Sequence, residues 1–145
     1  MKTDKNMLKT IIVNFDNEYS NKIRKIRNTV FSQEQKIDAS ADFDGQDDKA
    51  IHALIEMDGK YVGTGRTLMD GHIGRLAVLK LARGKGVGRQ LILALMAEAK
   101  KQGIKRVYLG AQKHAVVFYQ KLGFSQYGEP YEEVGIEHLH MEKFI

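Results

Sequence analysis

The sequence predicts an α/β (α+β) fold: a mixed, mostly antiparallel central sheet of about seven strands with helices on both faces. Two Asp-Gly pairs, Asp58-Gly59 and Asp70-Gly71, separate three apolar stretches and predict an antiparallel meander. Between Arg75 and Gln102, an apolar stretch, a glycine-rich turn and a helically spaced stretch follow one another. The apolar stretch Lys105 to Ala111 comes next. This order of strand, helix and strand predicts a crossover that joins two parallel strands. We expect the 145 residues (1–145) to form a single domain.

The individual elements follow from apolar spacing and from the residues that begin and end helices. Leu8 to Phe15 is predicted to be a strand. Asp16 or Asn17 can cap a helix that reaches as far as Phe31. Gln33 to Lys49 is polar and irregular, which predicts a long loop with a short helical turn. The later predicted elements are strands at 50–57, 60–69, from His72 onward, 105–111, 124–127 and 136–144, helices ending at Gly103 and at Gly123, and a loop at Gly128-Glu129-Pro130 between the last two strands.

Composition excludes several classes of protein. Hydrophobic residues make up 43% of the chain and charged residues 28%, which is typical of a soluble globular protein. No apolar run approaches the roughly 20 residues of a membrane span, and the first residues carry no signal-peptide core, so we expect a cytoplasmic protein without a membrane partner. The absence of cysteine excludes disulfides, thiolate zinc sites and a cysteine nucleophile.

The charged residues are divided unevenly between two parts of the chain. Nine Lys or Arg residues and one acid lie between Arg75 and Arg106, whereas eight Asp or Glu residues and two lysines lie between Glu34 and Asp58. The net charge is +5. A basic part suits a polyanionic ligand and an acidic part suits a cationic one, although two solvated faces without any ligand would give the same asymmetry.

The turn Arg83-Gly84-Lys85-Gly86-Val87-Gly88-Arg89 carries the clearest local pattern. Glycines at alternate positions let the backbone approach a ligand closely. The start of the following helix presents unpaired N–H groups and the positive end of the helix dipole, and three cationic side chains flank the glycines. The turn therefore predicts a pyrophosphate cradle. It matches neither the GxGxxG dinucleotide fingerprint nor the GxxxxGK[ST] nucleotide loop.

Two blocks of the sequence resemble a known family. The stretch Arg83 to Gly88 matches R-x-x-G-x-G, the pyrophosphate-binding signature of the GNAT superfamily of acetyl-CoA-dependent N-acetyltransferases. Further along, Ala115 to Phe124 resembles the A-x-x-F-Y-x-x-L-G-F block of the same superfamily. Ile26 to Gln35 and the ending Glu133 to His138 resemble its small bacterial ElaA-like branch. The resemblance implies a GNAT-like fold and transfer of an acetyl group from acetyl-CoA to a primary amine, directly within a ternary complex.

The resemblance also implies roles for individual residues. It makes Tyr119 the proton donor to the departing thiolate, which suits a phenol whose ordinary pKa of about 10 keeps it protonated at neutral pH. It makes the N–H of Val78 the donor to the oxyanion. A purely packing role for Tyr119 is the alternative, since Phe118 and Phe124 beside it are expected to pack. The implied cofactor-binding residues are Leu76, Ala77, Val78, Arg83, Gly84, Lys85, Gly86, Val87, Gly88, Arg89, Phe118 and Tyr119.

The acceptor site is predicted from the acidic part of the chain. That part suits a cationic amine, either a small molecule or a protein amine. Candidate substrate-binding residues are Glu34, Gln35, Asp44, Asp47, Glu133 and His138, and the general base stays open among the carboxylates Glu34, Asp44, Asp47 and Glu133. His138 and His140 alternate on a predicted strand and so face one side, but no third ligand accompanies them, and we predict no metal.

Two other functions fit parts of this pattern. A non-catalytic acyl-CoA-binding sensor or regulatory module on the same fold would share the cradle and differ only in turnover. The basic stretch also suits nucleic acid, but few aromatic residues interleave with it and no nucleic-acid motif is present, so we expect no nucleic-acid partner. A homodimer is a reasonable expectation for a small enzyme.

Overall fold

The structure is a computed structural model that describes residues 7–36 and 44–145. The strands are β1 (Leu8–Val13), β2 (Ile51–Met57), β3 (Lys60–Thr67), β4 (Ile73–Val78), β5 (Arg106–Gln112), β6 (Ser125–Glu133) and β7 (Ile136–Phe144). The helices are α1 (Ser20–Arg27), α2 (Val87–Lys101) and α3 (Val116–Lys121), with a π-helical segment at Asn28–Glu34 and 3₁₀ turns at Asp47–Lys49, Lys80–Ala82 and Lys113–Ala115. The predicted loop from Gln33 to Lys49 falls partly outside the described residues, and its described end contains a short helical turn, as predicted.

Two antiparallel sheets meet at β4 and β5. The first is four-stranded, in the order β1-β2-β3-β4, and the second is three-stranded, in the order β5-β7-β6. β4 and β5 are joined by a parallel bridge between His72 and Tyr108, where the N–H of Tyr108 donates to the carbonyl of Gly71 over 3.0 Å. Among the described residues the two strands show no further backbone pairing, so they diverge beyond this point. The predicted sheet and its parallel pair are confirmed.

Helices cover both faces of the four-stranded sheet because β2 alternates between two apolar layers. Ala53 and Ile55 pack in the layer that contains α2. Leu54 points the other way and packs with Ile23 and Ile26 of α1. The predicted placement of helices on both faces is therefore confirmed. Within the two described ranges, none of the helices is long and apolar enough to cross a membrane.

The first strand and first helix are shorter than predicted because a turn separates them. The carboxylate of Asp16 accepts hydrogen bonds of 3.0 Å from the N–H groups of both Glu18 and Tyr19. These hydrogen bonds hold a turn after β1, and the helix begins at Ser20 with Tyr19 at its N-cap and no side-chain cap, so the predicted cap at Asp16 or Asn17 is wrong. The helix ends at Arg27, where the chain continues as the π-helical segment.

The prediction of a loop at Gly128-Glu129-Pro130 is wrong. These residues lie within β6 as a bulge, because Tyr127 pairs with His140 and the next pair joins Tyr131 to His138. The hairpin turn is formed by Val134 and Gly135 instead, both at positive φ (52° and 73°). The last hairpin is therefore longer than predicted, and Tyr127 and Tyr131 lie on its first strand, β6.

Candidate active site

The glycine-rich turn lies where the segment after β4 leads into α2. Gly86 stands at the N-cap of the helix with φ +85°, a left-handed conformation that favours glycine. In the described structure the helix start has no side-chain cap and no acidic residue in its first turn. Its first N–H groups are therefore not capped by a side chain, and Arg83, Lys85 and Arg89, which flank them in sequence, are exposed. The predicted pyrophosphate cradle is an exposed cationic surface around unpaired N–H groups.

Two glycines of β3 let the start of α2 approach the sheet closely. A Cβ atom added to Gly63 would lie 2.6 Å from Cγ1 of Val87, and one added to Gly65 would lie 3.2 Å from Cδ1 of Leu95. Both distances are shorter than ordinary van der Waals contact, so a side chain at either position would push the helix outward. Since Val87 directly follows Gly86, this packing sets the position of the turn.

The end of β4 has an unpaired edge toward β5. The N–H of Leu79 donates to the carbonyl of Val62 over 2.8 Å, on the β3 side. Successive N–H groups of a strand point in opposite directions, so the N–H of Val78 points toward β5. The carbonyl of Val78 lies on the same edge and accepts a 3.0 Å hydrogen bond from Nε of Arg83. The edge therefore brings together the predicted oxyanion donor and the first residue of the cradle.

Tyr119 lies on α3, near the start of α2. Its ring packs edge-on against Phe118 and Phe124, with ring centroids 5.0 Å and 5.8 Å away. A Cβ atom on Gly88 would lie 3.7 Å from Cζ of Phe118, which places α3 beside the first turn of α2. Burial raises the pKa of Tyr119 above its ordinary value, and no described residue hydrogen-bonds to its hydroxyl. The ring packs, but among the described residues the protonated hydroxyl has no hydrogen-bond partner.

Arginines neutralise two of the predicted substrate carboxylates. Asp47 accepts hydrogen bonds of 2.9 Å from Arg27 and from Arg66, and these two arginines are 1% and 3% exposed. Asp44 forms a bidentate pair with Arg66, at 3.0 Å and 2.5 Å, and lies 3.4 Å from Arg75. The hydrogen bond from Arg66 holds the pKa of Asp44 well below its ordinary value. Burial raises the pKa of Asp47, but Arg27 and Arg66 outweigh this effect and the pKa is lowered.

Glu34 lies against the glycine-rich turn. Its Oε1 is 2.6 Å from Nη1 of Arg83, and this hydrogen bond lowers the pKa of Glu34. The guanidinium of Arg83 therefore bridges Glu34 and the carbonyl of Val78. Gln35 follows as the exposed end of the π-helical segment, and its N–H donates to the carbonyl of Val30 over 3.0 Å.

His138 and Glu133 lie on the last hairpin. His138 is 7% exposed, and its Nδ1 lies 2.8 Å from the carbonyl of Ile136, so Nδ1 carries the proton. Its Nε2 lies 4.0 Å from the carboxylate of Glu133. The ring of Tyr131 stacks on His138 and on His140, at 5.3 Å and 4.3 Å between centroids. In the described chain, no group of three or more His, Cys, Asp or Glu side chains is arranged to hold a metal.

The structure places the predicted residues in four groups. The implied cofactor residues occupy the end of β4, the turn with the start of α2, and α3. Of the candidate acceptor residues, Asp44 and Asp47 lie in the arginine-bound cluster, Glu133 and His138 on the last hairpin, and Glu34 and Gln35 at the end of the π-helical segment. Sequence reasoning missed the arginines that bind the acids and the tyrosine that stacks on the histidines. The missed residues are Arg27, Arg66, Arg75 and Tyr131.

This fold and this turn define a GNAT acetyltransferase. The chain belongs to that family, since the family model described as an acetyltransferase (GNAT) domain matches residues 16–145. It is similar to the uncharacterized N-acetyltransferase YjcF of Bacillus subtilis, with 35% identity over 122 residues, 81% of this chain and 87% of YjcF. Among solved structures it is similar to ElaA of Escherichia coli, with 31% identity, a TM-score of 0.83 and coverage of 94% and 99%. An acyl-CoA N-acyltransferase from Pseudomonas aeruginosa is 28% identical, with a TM-score of 0.82 and the same coverage of 94% and 99%.

Proposed function

We propose that this protein moves an acetyl group from acetyl-CoA to a primary amine by direct transfer in a ternary complex. The observation that carries the proposal is the exposed turn with Gly86 at φ +85°, which opens α2 beside the unpaired edge of β4 at Val78. Family membership supports acyl transfer, and the similar protein from Pseudomonas aeruginosa bears the name acyl-CoA N-acyltransferase. The proposal goes further than this support when it names acetyl as the transferred group and a primary amine as the acceptor.

The cofactor would be held by backbone groups and cations already in position. The N–H groups at the start of α2 and the side chains of Arg83, Lys85 and Arg89 suit a pyrophosphate, because they combine hydrogen-bond donors with positive charge. The edge of β4 at Leu76–Val78 suits an amide-containing arm, because its backbone groups face β5 without a paired strand. Acetyl-CoA supplies the acetyl group as a thioester.

Two groups would assist bond breaking. The N–H of Val78 donates to the developing oxyanion from the unpaired edge. Tyr119 donates its phenolic proton to the departing thiolate, because burial keeps the phenol protonated and its hydroxyl has no competing partner among the described residues. The remaining contribution comes from holding the two reactants together.

The geometry favours the last hairpin as the source of the base. Asp44 and Asp47 are bound by arginines and their pKa values are lowered, so both carboxylates are weak bases. Glu34 is bound by Arg83 in the same way. Glu133 has a side chain that is 65% exposed and faces Nε2 of His138, whose other nitrogen is held by a carbonyl. We therefore assign proton removal from the ammonium to the pair Glu133–His138.

The proposed acceptor is a primary amine, on a small molecule or on a protein. In the ammonium form such an amine suits Glu133 electrostatically and the ring of Tyr131 through a cation–π contact. The proposal includes no nucleic-acid and no membrane partner.

The test is the variant Tyr119→Phe, which removes the hydroxyl and keeps the ring packed against Phe118 and Phe124. We expect turnover to fall by about 100-fold or more, with coenzyme A affinity and melting temperature unchanged. Tyr19→Phe, a change before α1, is the matched control and should keep full turnover. Equal turnover of Tyr119→Phe and the parent would remove Tyr119 from the mechanism. Tight acetyl-CoA binding without turnover on any amine of a broad panel would favour the non-catalytic module.

A further inference from the structure

A second concave surface lies on the α1 side of the four-stranded sheet. It is a cleft of about 830 Å³ between α1, the start of β3 and the segment after β4. Its volume lies within the roughly 300–1,000 Å³ of ligand-binding pockets in proteins. We name it the lysine cleft after four of the residues that line it, Lys22, Lys25, Lys60 and Lys80.

Among its described lining residues, the lysine cleft carries an excess of positive charge, with four lysines and one glutamate. Within residues 7–36 and 44–145, no carboxylate lies within ion-pairing distance of any of its four ammonium groups. Among its described lining residues only Glu34 is acidic, and that carboxylate is bound to Arg83 at 2.6 Å and is also attracted by Lys80. Lys22 and Lys25 come from one helix, whereas Lys60 and Lys80 come from two other segments. Cations therefore surround the cleft from three parts of the chain.

The lining between these cations includes four apolar or aromatic residues, together with the polar residues Thr29 and Gln33. Ile26 and Tyr61 belong to the apolar layer beneath α1, and Leu79 packs against that layer. Leu81 lines the same cleft with 53% of its surface exposed. A ligand that matches this lining carries a negative group at the lysines and an apolar body over the leucines.

We propose that the lysine cleft binds a small anion with an apolar body, such as a medium-chain carboxylate, at a site separate from that of coenzyme A. The cleft lies in the α1 layer, whereas α2 packs in the opposite layer, and Leu79–Leu81 of its lining connect the end of β4 to the glycine-rich turn. The ion pair of Glu34 and Arg83 joins one edge of the cleft to the glycine-rich turn. A cationic or purely polar ligand does not match the lining.

The test is isothermal titration calorimetry with decanoate below its micelle concentration, and with decylammonium as the matched cation. We expect saturable binding of decanoate and none of decylammonium. The double variant Lys22→Glu/Lys25→Glu should weaken decanoate binding by at least tenfold. Lys100→Glu/Lys101→Glu at the end of α2 makes the same change of net charge on exposed residues outside the cleft and should leave the affinity unchanged. Decanoate binding that is absent, or equal in all variants, would overturn the proposal.

A second titration separates this site from the cofactor site. With coenzyme A at saturation, decanoate affinity should change by less than twofold, and coenzyme A should bind the Lys22→Glu/Lys25→Glu variant as it binds the parent. Loss of decanoate binding in the presence of coenzyme A would place the cleft within the cofactor site and refute a separate ligand. Because decanoate binding needs no acetyl transfer, its outcome does not depend on the proposed enzyme activity.

Discussion

The junction between the two sheets depends on Gly71. This buried residue has φ +102°, and its carbonyl accepts the hydrogen bond from Tyr108 that links β4 to β5. A Cβ atom at this position would overlap the carbonyl oxygen of Arg106. The substitution Gly71→Ala therefore combines an unfavourable backbone conformation with a clash against the neighbouring strand.

The expected cost of Gly71→Ala can be worked from these contacts. An L-residue in the left-handed region costs about 1–2 kcal/mol. Displacing β5 to relieve the clash costs about 1–3 kcal/mol more, as in overpacked cores, and weakens a hydrogen bond worth about 1 kcal/mol. The total is about 3–6 kcal/mol. Gly59→Ala is the matched control, because Gly59 has φ +84° and no atom within 4 Å of the added Cβ, so only the backbone cost of about 1–2 kcal/mol applies.

Urea unfolding of both variants measures the difference. We expect Gly71→Ala to be less stable than Gly59→Ala by about 2 kcal/mol or more, and to melt roughly 5 °C lower. Coenzyme A should also bind Gly71→Ala more weakly, because the junction sets where the edge of β4 opens. Equal stability of the two variants would refute the argument that the close contact of Gly71 with Arg106 holds the sheets together.

Further predictions concern the ion pairs. Glu34→Gln should bind coenzyme A about 2- to 5-fold more tightly in low-salt calorimetry, because Arg83 loses a competing carboxylate, with no difference at high salt; equal low-salt affinities would contradict this. Asp47→Asn should lower the free energy of unfolding by about 3–5 kcal/mol, because Arg27 and Arg66 stay buried without their charge partner; a loss below about 1 kcal/mol would argue against it. The pKa of Asp47 is lowered in the fold, so its stabilisation is complete above the unfolded carboxyl pKa of about 3.9 and is lost as the pH falls below that value. Urea series from about pH 6 to pH 3 should therefore show a steeper loss for the parent than for Asp47→Asn.

The turns show where local sequence is sufficient and where it misleads. Asp58 and Gly59 both adopt positive φ (52° and 84°), as the hairpin signature predicts. Val134 also adopts positive φ, which is unfavourable for a β-branched residue, so no local rule places a hairpin there. The pattern Gly128-Glu129-Pro130 is typical of a loop, yet pairing on both sides of it keeps these residues within the strand.

The candidate site likewise has one part that the local sequence predicts and one part that it does not. The glycine-rich turn could be predicted because its residues are consecutive and their conformations follow from local rules. The arginine cluster could not, because Arg27 and Arg66 reach Asp47 across separations of 20 and 19 residues. An acidic stretch therefore suggested a cationic ligand, whereas the protein itself supplies the cations for Asp44 and Asp47.

Calorimetric titration of coenzyme A into three proteins tests the central claim, that the turn at Gly86 holds the cofactor. The proteins are the parent, Gly86→Glu and Gly103→Glu. Both glycines flank α2, have nearly the same φ (+85° and +89°) and have no atom within 4 Å of an added Cβ, so the two substitutions carry the same backbone cost. We predict that the parent and Gly103→Glu bind alike and that Gly86→Glu loses about 100-fold or more, since its carboxylate meets the phosphates. Equal binding by all three proteins would contradict the account.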